Sequence, residues 1–196
     1  MAFKNIAKND NKVVIIGERH NSEIDKKAEV ELIETYKPGL ILMEGYNSND
    51  RNKEKNPYFD NDKLIFDVAE KYNIKIENPD LKVDELPGSS SIAKRHEELV
   101  SKYNSFLSAE ENSELRNSKD EIIAEMRELG EKLKKVQMEE KPIREEHMKN
   151  VIVSNLNLNE TEKSILVIVG DTHVKNLKTL LRKEGVESET YRSTLN

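Results

Sequence analysis

The chain has no cysteine and no tryptophan, and aromatic residues make up only 5% of its 196 residues. Without thiols there are no disulfides and no thiolate ligands, so any metal must be held by imidazole and carboxylate. The same absence fits a reducing compartment, and the expectation is a cytoplasmic protein. A basic excess is missing too. The formal charge is -6, which argues against a general nucleic-acid binder, since such a protein presents a basic face. Long hydrophobic runs are absent. The longest, Val13–Ile16 and Ile165–Val169, have the length of strands and fall far below a bilayer span, so no membrane segment is expected. Met1–Lys12 is polar and lacks the apolar core of a secretory signal.

Charge is what the chain does have, at 36% of residues. With this much patterned apolar content beside it, the charge reads as solvated helical surface and not as disorder. The length suits one α/β domain over 1–196 carrying an insertion, and a chain this long buries enough core to fold without staples.

Lys12-Val-Val-Ile-Ile-Gly17 is a β-branched run closed by glycine and predicts a buried strand. Asn21 and Ser22 offer a cap for a helix carrying Ala28, Leu32 and Ile33, which Pro38-Gly39 stops. Leu40–Glu44 is a second strand, so the opening segment has the strand–helix–strand pattern of a parallel unit. A polar loop over 45–62, a helix to about Tyr72 and a strand at Ile74–Glu77 follow. After a turn at Pro87–Ser91, the stripe Ile122, Met126, Leu129, Leu133 and Val136 steps by four and three. A weaker stripe of Ile92, Leu99, Tyr103 and Phe106 matches it, so 92–141 predicts a long helical hairpin set into the core. Pro142 suits the first turn of a further helix reaching about Leu158. Ser164–Gly170 is the strongest strand signal, His173–Glu184 a helix closed by Gly185, and Val186–Arg192 an edge strand. The fold expected is a largely parallel sheet with flanking helices and an inserted helical hairpin.

Two segments share one plan. Val13-Val-Ile-Ile-Gly-Glu-Arg-His20 and Leu166-Val-Ile-Val-Gly-Asp-Thr-His173 each run from an apolar strand through glycine and an acid to a histidine at a helix start. Glycine permits a sharp turn or a close approach. In parallel strands both turns fall at the carboxyl edge of the sheet, where α/β proteins bind ligands. Glu44 ends the intervening strand and should reach the same edge, with Glu18 and Asp171 nearby. Such a set suits a divalent metal, or acid–base work on water. Arg144 shares a helix face with Met148 and Ile152 and should point inward, holding carboxylates ionised or binding a carbonyl or anion. Tyr46, just past Glu44, is a candidate ligand contact. The bland alternatives stand beside these. Glu18 and Asp171 read equally well as helix caps, His96 as a packing residue on its stripe, and His147 as a residue facing away from the cleft.

Gly17-Glu-Arg-His20, Leu42-Met-Glu44-Gly45, Arg144-Glu-Glu-His-Met148 and Gly170-Asp-Thr-His173 together resemble the erythromycin esterase/ChaN/TIKI/TraB superfamily. Their order matches over nearly the whole chain, with the hairpin as the most variable part. The resemblance implies an α/β fold with a catalytic cleft, in which His20, Glu44, Arg144 and His173 correspond to the catalytic set. It implies a hydrolase acting on a peptide, ester or lactone, with His20, Glu44, His173 and Glu18 as ligands if manganese, cobalt or zinc is used. Arg144, Tyr46 and Asp171 would then contact substrate. Another branch implies haem or iron capture, and a third a regulatory role without turnover. A homodimer through the hairpin is the expected self-association.

Overall fold

The computed structural model describes residues 13–19, 23–46, 59–107, 113–158 and 164–192. The elements are β1 (Val13–Glu18), α1 (Glu23–Tyr36), β2 (Leu40–Met43), α2 (Phe59–Lys71), β3 (Lys75–Glu77), α3 (Pro87–Leu107), α4 (Ser113–Leu158), β4 (Ile165–Gly170), α5 (Asp171–Lys183) and β5 (Ser188–Arg192). The described residues divide into two units, one of 1–80 with 145–196 and one of 81–144.

The first unit is built on a five-stranded sheet in the order β3-β2-β4-β1-β5, and every pairing is parallel. The α/β parallel fold expected from the sequence is therefore the fold observed. β1, β2 and β4 are buried along their whole length. That is why they read as unbroken apolar runs and not as alternations: both faces of each strand lie against helices. Val14, Ile16, Ile41, Met43, Leu166 and Ile168 pack on one face against Leu32 and Ile33 of α1 and Ile65 and Phe66 of α2. Val13, Ile15, Leu40, Leu42, Val167 and Val169 pack on the other against Met148 and Ile152 of α4 and Val174, Leu177 and Leu181 of α5. Each such side chain taken fully out of water contributes roughly 1.5–3 kcal/mol.

The order of strands decides where a ligand can enter. From β2 the chain moves outward to β3 along the first face, and from β4 it moves the other way to β5 along the second. Connections leaving these two adjacent strands diverge, which opens a crevice at their carboxyl ends. Gly17 shows how tightly α5 is drawn in. A Cβ there would lie 2.6 Å from Val174 Cγ2 and 3.1 Å from the Asp171 Cα, so the glycine serves close approach and not a positive φ. Gly185, at φ 74°, closes α5 as expected.

The second unit holds α3 and α4 as far as Arg144. Arg95 bonds Glu125 at 2.8 Å, and Gly88 and Ser89 bond Glu140, so low numbers on α3 meet high numbers on α4 and the pair is antiparallel. Leu99 and Ile122, one from each predicted stripe, are its buried apolar residues. Two expectations are corrected here. The turn predicted at Pro87–Ser91 is the first turn of α3, where Pro87 loses nothing because the first N–H groups of a helix have no partner. Pro142 does not begin a new helix; α4 runs through it. Pro142 removes the N–H that would bond the Met138 carbonyl, and both residues are exposed. Among the described residues no helix is long and apolar enough to cross a membrane.

Candidate active site

His173 stands in the first turn of α5, three residues beyond the end of β4. Its side chain is 6% exposed, with Glu44 at 9% and Glu145 at 4%. The ring lies between the two carboxylates. Nδ1 is 2.9 Å from Glu145 Oε1, a hydrogen bond, and Nε2 is 3.6 Å from Glu44 Oε1.

Each partner is seated by its own element. Glu44 follows β2, and its N–H donates to the carbonyl of Ile168, so the ladder with β4 extends one residue past Met43. Its Oε2 accepts the Gly170 N–H at 2.7 Å. That donor is the N-cap residue of α5, where a negative charge is favoured by the helix dipole and by otherwise orphaned N–H groups. Glu145 comes from α4, on the face that carries buried Met148 and Ile152. Its second oxygen accepts from Asn176 Nδ2 at 3.0 Å, one turn beyond His173 on α5. Three distant stretches of sequence thus meet near the carboxyl ends of β2 and β4.

A second buried cluster occupies the opposite face of the same edge. Glu18 is register-paired with Gly170 across the β1–β4 ladder, but its side chain shares the parity of Val14 and Ile16, on the α1 face. Lys26 of α1 lies 2.6 Å from Glu18 Oε2, 3.4 Å from Glu29 Oε2 and 3.2 Å from Asp62 Oδ1. Burial works against the Lys26 charge, but Glu29, Glu18 and Asp62 outweigh it and raise its pKa. Glu29 is fully buried. Burial pushes its pKa well above 4.5, Lys26 pulls it down, and neighbouring Glu18 pushes it up again. One cation thus faces three acids, and burial works against the charge of both Lys26 and Glu29.

The remaining candidates fall elsewhere. His20 lies outside the described residues. Arg144 is the last residue of the second unit. There its charge acts on Glu140, whose pKa burial would raise but which the Ser89 and Gly88 donors and Arg144 hold low. Tyr46 packs edge-to-face on Phe66 at 6.0 Å, against the α1–α2 side of the core. Asp171 opens α5, with its Oδ1 3.2 Å from Arg192 Nε. His96 and His147 are half-buried on α3 and α4.

For a metal, the facing donors are His173 Nε2 and Glu44 Oε1. Glu18 is on the other face with an oxygen committed to Lys26. Among the described residues no group of three histidine or carboxylate side chains is placed to hold an ion. The described donors do not make a metal site by themselves.

Sequence reasoning missed Glu145, Asn176, Lys26 and Glu29. A signal existed for Glu145, which precedes Met148 and Ile152 by three and seven residues and so shares their helix face. Glu29 likewise precedes Leu32 and Ile33 by three and four. Comparison of the chain with protein-family models, with curated proteins and with solved structures gives no match.

Proposed function

We propose that this chain is a hydrolase of the erythromycin esterase/ChaN/TIKI/TraB type, opening an ester, lactone or peptide bond of a small molecule or peptide. The observation that supports it is the gap between His173 Nε2 and Glu44 Oε1. At 3.6 Å it is wider than a direct hydrogen bond, and in this reading a water held beside both atoms is the nucleophile. The pair lies at the carboxyl ends of β2 and β4, where the connections diverge and α/β proteins bind ligands.

In this reading Nε2 takes a proton from that water as its oxygen bonds to the substrate carbonyl carbon. Glu44 stabilises the imidazolium so formed. The tetrahedral oxyanion then collapses, the carbonyl carbon loses its bond to the leaving oxygen or nitrogen, and that atom takes the proton from Nε2. His20 and Arg144 enter through the sequence resemblance alone, Arg144 as the group that steadies the oxyanion.

The test is a substrate panel of p-nitrophenyl acetate, a six-membered lactone and a casein-derived peptide, assayed with the parent, His173→Ala and Glu44→Gln. Both variants should lose about 10²–10⁴-fold in kcat while remaining folded by circular dichroism. Assays after chelation and on adding back manganese, cobalt or zinc sort the metal-dependent version of the reading from the metal-free one. A parent inert on the whole panel under every metal condition, or a His173→Ala variant with parental kcat, overturns the proposal.

A further inference from the structure

Glu145 falls inside the Arg144–Met148 motif without being one of its candidate site residues, yet it makes the shorter of the two carboxylate contacts to the His173 ring. Both of its oxygens accept, one at Nδ1 of His173 at 2.9 Å and the other from the Asn176 amide at 3.0 Å. His173 and Asn176 stand one turn apart on α5, so the carboxylate spans a fixed pair of positions and cannot turn without losing a bond. Its side chain is 4% exposed, which keeps water from substituting for either partner.

We infer that Glu145 is a positioning residue that sets the tautomer of His173. A carboxylate only accepts, so the hydrogen in the short contact sits on Nδ1. In the neutral ring that leaves the lone pair on Nε2, aimed at the gap beside Glu44. Asn176 holds the second oxygen and thereby the plane of the carboxylate. α4 therefore contributes to the site through Glu145, the residue after Arg144. The inference rests on the reading of His173 as the acid–base group, but the tautomer is measurable without turnover.

The experiment is nitrogen-resolved NMR of the full chain labelled in histidine, with His173 assigned by loss of its signal in His173→Gln. At a pH where the ring is neutral, the parent should show a protonated Nδ1 and an unprotonated Nε2. Glu145→Gln presents an amide that donates as well as accepts, and should shift the ring toward a mixture of tautomers. Its kcat on whichever panel substrate is turned over should fall by about 10²–10⁴-fold with KM little changed, as expected when a base is held in the wrong tautomer. Asn176→Ala keeps the carboxylate but frees its plane, and should give a smaller loss in the same direction. It is the variant to use if Glu145→Gln does not fold. A parent ring protonated on Nε2 overturns the inference, as does a folded Glu145→Gln variant with the parental tautomer or an Asn176→Ala variant with parental kcat. If the tautomer behaves as stated and no substrate is ever turned over, the hydrolase reading fails and the positioning role stands.

Discussion

The carboxyl edge of the sheet carries two buried clusters of acids, one on each face, and they are put together in opposite ways. On the α1 face, three acids surround Lys26, two of them within 3.2 Å of its ammonium, and burial raises the pKa of the third, Glu29. On the α5 face two acids bracket an imidazole, with one short contact and one wider gap. The first cluster is filled by its own cation, the second by an imidazole. The contrast separates an arrangement that seals an edge from one that can work on a ligand.

The sharpest way to break the contrast is Lys26→Met. It leaves Glu18 buried without its cation, and loss of one partner of a buried ion pair costs about 3–5 kcal/mol. Urea denaturation should show the midpoint falling accordingly, whereas His173→Ala should cost distinctly less. Equal losses would mean that both clusters are structural.

Gly17→Ala should weaken the α5 face alone, because the new Cβ meets Val174 and the backbone of Asp171. Overpacking of this kind costs about 1–3 kcal/mol. Hydrogen exchange should accelerate in α5 and not in α1. Faster exchange spread evenly over both would show that the faces do not respond separately.

The smallest effect concerns Glu29. Its folded pKa lies above the ordinary 4.5. As pH rises past 4.5, the unfolded chain releases this proton while the fold still holds it, so stability falls until the folded value is passed. Glu29→Gln, neutral at every pH and nearly the same shape, should flatten that decline in a series of denaturation curves. An unchanged slope would show that another group is responsible.

Sequence pattern made much of this edge legible. The apolar runs of β1, β2 and β4, the glycine closing α5 and the placing of Glu44 and His173 at one sheet edge all follow from local periodicity, and all are present. The pleat had more to say than was read from it. Glu18 shares the parity of Val14 and Ile16, and Glu44 that of Leu40 and Leu42. Once the strands are parallel neighbours, these two acids therefore belong to different faces of the sheet. Local propensity predicts a helix start at Pro142, but α4 runs through it at a point where Pro142 and Met138 are both exposed.

By itself, the sequence determined the kind of fold and which side chains stand at strand ends, because strand and helix periods are properties of neighbouring residues. Only the tertiary structure decided which acids meet which bases. His173 and Glu145 are 28 positions apart, and Gly170 and Glu44 are 126 apart. Such pairings depend on the order of strands across the sheet and on which helix covers which face, and no local pattern encodes either.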